Sequence, residues 1–215
     1  MRVLVTAGPT REWLDPVRFI SNPATGRLGY LLAAEGVRRG AEVILVSGPT
    51  NLPVPDGVSL IKVESAVQMA EETRKIFPGI NVLFMTAAVS DWRPRFRVDK
   101  IKRKEKFSLT LFPNPDILRT CGKIKKPDQI LIGCALETRG LIEAGRKKLR
   151  EKNLDFILVN NPSFFGKEKG RHSSFLLSRQ GEVHDLSAKT KEDISRFLYE
   201  HCLLICSSPF SSSLS

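Results

Sequence analysis

Short apolar runs alternate along the chain with stretches whose apolar residues recur every three or four positions. Arg2–Thr6 predicts a first strand, and Glu42–Ser47, Val58–Val63, Asn81–Thr86, Gln129–Ala135 and Asp155–Asn160 repeat the type. Their Val, Ile and Leu residues sit on consecutive rather than alternate positions, as in strands buried on both faces. Helical spacing predicts Gly26–Arg39, where Leu28, Leu31, Leu32 and Val37 form a stripe, then Ser65–Phe77 with Ser65 as its cap, and Leu141–Lys152. The connector Gly48–Gly57 is too rich in turn formers to be helical. Buried strands alternating with helices imply an α/β fold: a doubly wound, mostly parallel, Rossmann-like sheet covered on both faces. Phe107–Phe112 alternates, and Ser173–Leu177 and Val183–Leu186 flank a Gln180-Gly181 turn, which predicts a small antiparallel hairpin appendage. Lys189–Ile205 reads as a last helix. Six of the final nine residues are serine, so 1–205 is expected to be one domain and 206–215 a disordered tail.

A chain of 215 residues has room for one such domain with a sizeable core. Charged residues make up 27% and hydrophobic ones 41%, which excludes wholesale disorder. No apolar run reaches the roughly 18 residues of a membrane span, so no membrane partner is expected. Cys121, Cys134, Cys202 and Cys206 lie too far apart for a zinc finger or a dense disulfide framework, and a reducing, cytoplasmic setting is the expectation. The net charge of +11 is concentrated: from Arg93 to Lys126 there are 12 Lys or Arg and 3 acids. The densest part, about 93–106, fits a solvated loop, a basic flap that closes on a phosphorylated ligand, or a nucleic-acid patch, and charge alone does not choose among them.

Doubly wound sheets bind ligands beyond the carboxyl ends of their strands. Three strand ends here are unusual. The first strand enters a polar stretch through Gly8 and Thr10 that is far longer than the ~2–6 residues of a plain strand-to-helix turn. That stretch ends in Asn22-Pro23-Ala24-Thr25-Gly26-Arg27-Leu28-Gly29, which puts Gly26 and Gly29 at a helix N-terminus. There, free N–H groups and the helix dipole favour an anion, although glycines also serve close helix–sheet packing. The second strand end, Met85-Thr86-Ala87-Ala88-Val89-Ser90-Asp91, has small residues that leave room for a ligand against the sheet. Asp91 could hold a metal, a ribose hydroxyl or a neighbouring arginine. At the third, Asn114-Pro115-Asp116-Ile117-Leu118, Asp116 reads as a first-turn acid satisfying a helix dipole. Lys148 and Lys152 share one helix face, either solvated or able to clamp a nucleotide.

Several common chemistries are absent from the sequence. No GxGxxG fingerprint follows the first strand, neither Tyr30 nor Tyr199 has lysine four residues later, and no GxxxxGK[ST] occurs. His172, His184 and His201 fall late, away from the strand ends, so a histidine base or thiolate nucleophile is not expected. Catalysis would rest on positioning and electrostatics.

Seven motifs appear in order: Val5–Glu12 (VTAGPTRE), Asp15–Asn22 (DPVRFISN), Leu45–Thr50 (LVSGPT), Ala87–Asp91 (AAVSD), Lys100–Lys102 (KIK), Asn114–Leu118 (NPDIL) and Lys152–Asp155 (KNLD). As an ordered set they resemble the phosphopantothenate–cysteine ligases of coenzyme A biosynthesis. The resemblance implies a reaction joining 4′-phosphopantothenate to L-cysteine with CTP and Mg2+, through an acyl-cytidylate, releasing CMP and pyrophosphate. It also implies a homodimer. The first strand begins at Met1, so the expectation is a stand-alone ligase working beside a separate decarboxylase.

By the same resemblance Lys100, on the flap, approaches the reacting phosphate, and Asn22 orients the acyl-cytidylate carbonyl for attack by cysteine. Met85, Thr86, Ala87, Asp91, Pro115, Asp116, Ile117, Leu118, Cys134, Lys148 and Lys152 fall on the nucleotide site. Gly8, Thr10, Arg18, Thr25, Gly26, Gly29 and Ala88 fall on the phosphate and substrate site, with Arg18 a candidate for a substrate anion. Two positions depart from the family pattern. Ala24 stands where serine is common, removing a hydroxyl that Thr25 replaces nearby, and Cys134 stands where bacterial members carry phenylalanine, which bears on CTP against ATP. A nucleotide-binding oxidoreductase on the same fold and a basic nucleic-acid-binding module are the competing classes. The missing dinucleotide fingerprint argues against the first, and no nucleic acid is expected as a partner.

Overall fold

A computed structural model describes residues 1–103, 106–162 and 173–207, the side chains beyond 201 apart. The chain runs β1 (Arg2–Ala7), β2 (Arg11–Trp13), β3 (Phe19–Ser21), α1 (Arg27–Arg38), β4 (Glu42–Ser47), β5 (Val58–Lys62), α2 (Ala66–Ile76), β6 (Val82–Met85) and β7 (Trp92–Pro94). It continues with β8 (Leu111–Pro113), α3 (Ile117–Ile124), β9 (Ile130–Leu136), α4 (Leu141–Glu151), β10 (Phe156–Asn160), β11 (Ser174–Ser178), β12 (Val183–Asp185) and α5 (Lys191–Ser207).

One sheet, ordered β12-β11-β10-β9-β6-β1-β4-β5, organises the domain. From β10 to β5 every neighbouring pair is parallel. At the centre Val5 stands between Leu45 of β4 and Phe84 of β6. Alternate residues of β1 enter different apolar layers. Val3, Val5 and Ala7 join Leu32 of α1 and Leu198 of α5 on one face. Leu4 joins Met69 of α2, Leu118 of α3 and Leu149 of α4 on the other. Both faces are dry, which is why the strands read as continuous apolar runs.

Local signals explain the helix starts. Ser65 accepts from the Gln68 N–H at 3.3 Å, and the Gln68 side chain accepts from the Ser65 N–H at 3.1 Å, a reciprocal cap on α2. The buried carboxylate of Glu12 accepts from the Ala66 N–H at 2.9 Å and so moors β2 on the same helix end. The Asn114–Leu118 turn opens α3 with Asp116 as its cap.

The antiparallel parts differ from expectation in their placement. The hairpin Ser174–Ser178/Val183–Asp185 is not a separate appendage, because β11 pairs antiparallel with β10 along five residue pairs and extends the main sheet. Leu176 and Leu177 are both buried, one in each apolar layer, so this hairpin edge is core. The small antiparallel pairs that stand apart are β2–β3 and β7–β8. Of the alternating stretch 107–112, only Leu111 and Phe112 are strand, in β8, which pairs with Trp92–Pro94. The last helix runs to Ser207, two residues into the stretch expected to be tail. The remainder of that stretch, His172, and the thiols of Cys202 and Cys206 lie outside the described residues.

Candidate active site

Going from β1 to β4 to β5 the chain moves one way across the sheet, and β6 then falls on the other side of β1. Such a reversal opens a crevice at the carboxyl ends of the two diverging strands. Here it has a volume of 480 Å³ and is lined by Met85–Ala88 at and beyond the end of β6, by the start of α1, and by the start of α3 with the end of α4.

The floor is built by the segment after β1 running alongside the segment after β6. Ala88 N–H donates to the Gly8 carbonyl at 2.9 Å, and Ser90 N–H donates to the Thr10 hydroxyl at 3.0 Å. Thr86 donates its hydroxyl to the Thr6 carbonyl at 2.6 Å. Thr10 is fully buried, and Gly8 adopts φ +74° with the Gly48 carbonyl 3.0 Å from where a Cβ would stand. Gly8 and Thr10 therefore support the floor from beneath and do not line the crevice.

Along one wall, α1 begins at Gly26, in the left-handed region at φ +80°, with no side-chain cap and no acid in its first turn. Its positive end is left for an anion. A Cβ on Gly29 would lie 2.5 Å from the Ala7 Cβ and 2.7 Å from the Thr86 hydroxyl, so glycine here lets the helix start touch the sheet. The two readings of the glycines thus divide between them: Gly29 serves packing and Gly26 leaves the helix end open. Asn22 reaches into the same space and donates its side-chain N–H to the Ala88 carbonyl at 2.9 Å.

The opposite wall carries charge in pairs. Lys152 Nζ stands 2.9 Å from an Asp116 carboxylate oxygen, and Lys148 Nζ stands 2.6 Å from Glu137, just past β9. Asp116 also caps α3 by accepting from the Arg119 N–H at 3.0 Å. Burial works to raise the Asp116 pKa, but that N–H and the Lys152 ammonium outweigh it and hold the carboxyl below its ordinary value. Cys134 sits between the walls, where burial pushes its thiol up to about 12, out of reach of thiolate chemistry at neutral pH. Asp91 is exposed on the rim, and among the described residues its carboxylate has no ion-pair or hydrogen-bond partner. Arg93 is not its partner, because that guanidinium donates to the Pro113 carbonyl and to Asn114 Oδ1. No cluster of three His, Cys, Asp or Glu side chains that could hold a metal occurs among the described residues.

Most residues singled out from the sequence meet here: Asn22, Thr25, Gly26, Gly29, Met85–Ala88, Asp91, Pro115–Leu118, Cys134, Lys148 and Lys152 all line the crevice. Lys100 does not. It is exposed in a hollow formed by Arg97–Lys102 and Lys106–Ser108 of the flap itself. Nor is Arg18 in the crevice; it donates to Asp15 and to the Ile101 carbonyl. Sequence reasoning missed Asn160, which ends β10 and lines the crevice, and Glu137, which follows β9 and reaches the crevice through its ion pair with Lys148. The strand-end rule that found Met85–Asp91 would have found both. Asn114, which opens the Asn114–Leu118 motif, donates its side-chain N–H to the Ser90 carbonyl at 2.8 Å and ties the α3 wall to the floor.

Comparison with known proteins places this architecture. The family model for the DNA/pantothenate metabolism flavoprotein C-terminal domain matches residues 1–204. The chain belongs to that family. The motif resemblance read from the sequence is thereby borne out. Among curated relatives, the Coenzyme A biosynthesis bifunctional protein CoaBC of Bacillus subtilis is 39% identical over 198 residues, covering 90% of this chain and 48% of that protein. The protein of the same name from Borreliella burgdorferi is 35% identical over 199 residues, covering 91% and 50%. This family domain thus spans about half the length of the curated relatives it matches. A crystal structure of the C-terminal domain of a CoaBC protein superposes with a TM-score of 0.82 at 39% identity, covering 95% of this chain and 94% of that one. That agreement confirms the mostly parallel α/β fold. No helix among the described residues is long and apolar enough to cross a membrane.

Proposed function

We propose that this domain joins 4′-phosphopantothenate to L-cysteine in coenzyme A biosynthesis, activating the carboxylate as an acyl-nucleotidylate with CTP. The observation that carries the reading is the gathering of Asn22, the uncapped α1 start and the Lys148 and Lys152 pairs around one crevice. The relatives' names, with their shared coenzyme A biosynthesis, support the pathway. In this reading a carboxylate oxygen attacks the α-phosphorus and pyrophosphate leaves. The cysteine amine then attacks the acyl carbonyl and CMP leaves. Both steps move negative charge, and their barriers fall where N–H groups and cations already face it. The α1 start would take phosphate oxygens. Lys148 and Lys152 would hold the nucleotide, their charges tempered by Glu137 and Asp116. Asn22, its amide fixed by Ala88, would orient the acyl carbonyl for the amine. Lys100 would reach the reacting phosphate when the flap closes. Mg2+ would be held by Asp91 and the triphosphate, where it would supply charge neutralisation.

A second copy of the chain is the expected protein partner, because Trp92, Phe96, Val98, Phe107, Leu111 and Phe112 expose large apolar surface on and beside β7–β8. A phosphopantothenoylcysteine decarboxylase would consume the product. The deciding experiment is turnover with phosphopantothenate, cysteine and Mg2+, with CTP and ATP in competition, reading CMP against AMP. CMP formation that depends on cysteine is expected. AMP as the main product would replace CTP by ATP, and neither product would remove the ligase reading. In the same assay Lys100→Ala is expected to keep the fold and slow pyrophosphate release at least tenfold.

A further inference from the structure

The flap bearing Lys100 is exposed, yet the backbone of one of its residues is gripped on both sides. Asp15, in the turn between β2 and β3, has a side chain with 0% exposure. One of its carboxylate oxygens accepts from the N–H groups of Val17 at 2.8 Å and Arg18 at 2.9 Å, which holds the turn closed. The other accepts from the Ile101 N–H at 3.0 Å, across 86 residues of sequence. Arg18, 3.2 Å from the same oxygen, donates to the Ile101 carbonyl at 3.1 Å. Both backbone groups of the residue after Lys100 are therefore held, the N–H by the buried Asp15 carboxylate and the carbonyl by the more exposed Arg18 guanidinium paired with it. A third bond, from the Arg97 N–H to the Leu14 carbonyl at 2.9 Å, falls on the same turn. Among the described residues these are the hydrogen bonds that join 95–108 to the rest of the domain.

The β2–β3 hairpin leads from this grip to the crevice. Its second strand ends at Ser21, and Asn22 follows, bonded to Ala88 on the crevice floor. One short element thus carries the anchor of Lys100 at its turn and Asn22 at its base. We infer that Asp15 is a positioning residue: by clamping the Ile101 peptide to the β2–β3 turn it fixes the point from which Lys100 is delivered to the site. This rests on the role assigned to Lys100 above. The Ile101 N–H lowers the Asp15 pKa more than any other partner, against the effect of burial, so the clamp acceptor is charged at neutral pH.

Asp15→Asn is the informative variant. Its oxygen still accepts from Val17 and Arg18 and preserves the turn, while its new NH2 faces the Ile101 N–H and the Arg18 guanidinium, donors against donor. Ile101→Pro deletes the clamped N–H from the flap side and leaves Asp15 intact. For both variants, trypsin cleavage within the basic flap is expected to accelerate at least tenfold while circular dichroism is unchanged. For Asp15→Asn, kcat is expected to fall at least tenfold with KM for nucleotide and cysteine within twofold. The double variant Asp15→Asn/Lys100→Ala is expected to be no slower than Lys100→Ala alone, within twofold. Wild-type cleavage rates in both variants, or kcat losses that multiply fully in the double variant, would overturn the clamp. Wild-type turnover of Lys100→Ala alone would instead overturn the role of Lys100, while the cleavage rates still record whether the clamp exists.

Discussion

Two helices point their N-termini at the crevice, and they are finished in opposite ways. The α1 helix starts at Gly26 with no capping side chain and no acid in its first turn. By contrast, α3 starts at Asp116, whose carboxylate caps the helix and carries Lys152 at 2.9 Å. A helix start presents partial positive charge in either case. At α3 the protein has neutralised that charge with its own carboxylate, and an arriving phosphate would meet a like charge. At α1 it has left the charge bare. In the proposed function this difference would order a nucleoside triphosphate, with its phosphates at the Gly26 end and its less charged parts beside α3 and α4. The crevice is thus polar along its length even though both ends are helix starts.

The strongest way to break the contrast is to move the bare end away. Gly29→Ala places a Cβ 2.5 Å from the Ala7 Cβ and 2.7 Å from the Thr86 hydroxyl, contacts that force α1 off the sheet. Overpacking of this kind costs about 1–3 kcal/mol. Chemical denaturation should show that loss, and isothermal titration should show nucleotide affinity falling below detection, because the helix start no longer aligns with the floor. Unchanged stability would mean that the helix start yields without cost, and unchanged affinity would mean that it takes no part in binding.

The sequence already sets Gly26 at a helix start that favours an anion and Asp116 at one satisfied by its own acid; what it does not show is how the residues at each end are paired. Strands such as Glu42–Ser47 were legible to the residue, because apolar runs bounded by Gly40 and Gly48 need no tertiary information. The crevice itself was legible through the strand ends, since topology puts them together. Pairings were not. Asp116 and Lys152 both stood out, but 36 residues separate them, and nothing local says that one screens the other. Arg18 looked like a ligand for a substrate anion, but its partners include Asp15 and the chain's own Ile101 carbonyl, and a guanidinium carries no mark of which acceptor it will find. The three-residue strands β2, β3 and β7 are too short to show a period. The hairpin β11–β12 was seen as a hairpin, but whether it would stand apart or join the sheet edge depended on Leu176 and Leu177 finding apolar layers on both faces.

A gentler change makes α1 resemble α3. The Thr25 hydroxyl already lies 3.4 Å from the Arg27 N–H, so Thr25→Asp brings a carboxylate to the bare helix end without disturbing packing. Fold stability should hold or rise by a few tenths of a kcal/mol, as expected for an acid near a helix start. Affinity for the triphosphate should fall about tenfold, which corresponds to ~1.4 kcal/mol. Binding of the bare nucleoside should change little. If nucleoside and triphosphate weaken together, the phosphates do not sit at α1, and the ordering drawn from the two helix ends is reversed or absent.

The smallest expected effect comes from making α3 resemble α1. Asp116→Asn keeps a good capping residue but removes the charge, so helix stability should change by only a few tenths of a kcal/mol. The charge has a second signature in pH. Because Asp116 titrates below its ordinary value of 3.8 in the folded chain, it contributes stability above pH 3.8, and that contribution is lost as pH falls through the lowered folded pKa. In Asp116→Asn this segment of the acid-unfolding curve should flatten, by a modest amount, since the Lys152 pair is partly exposed and screened. With Lys152 released and the helix end no longer occupied by a carboxylate, triphosphate affinity should rise by about two- to fivefold, from ~0.3–1 kcal/mol at a helix end. A loss of affinity would show that Asp116 touches the nucleotide directly, and the contrast between the two ends would then be one of ligand contact rather than of charge.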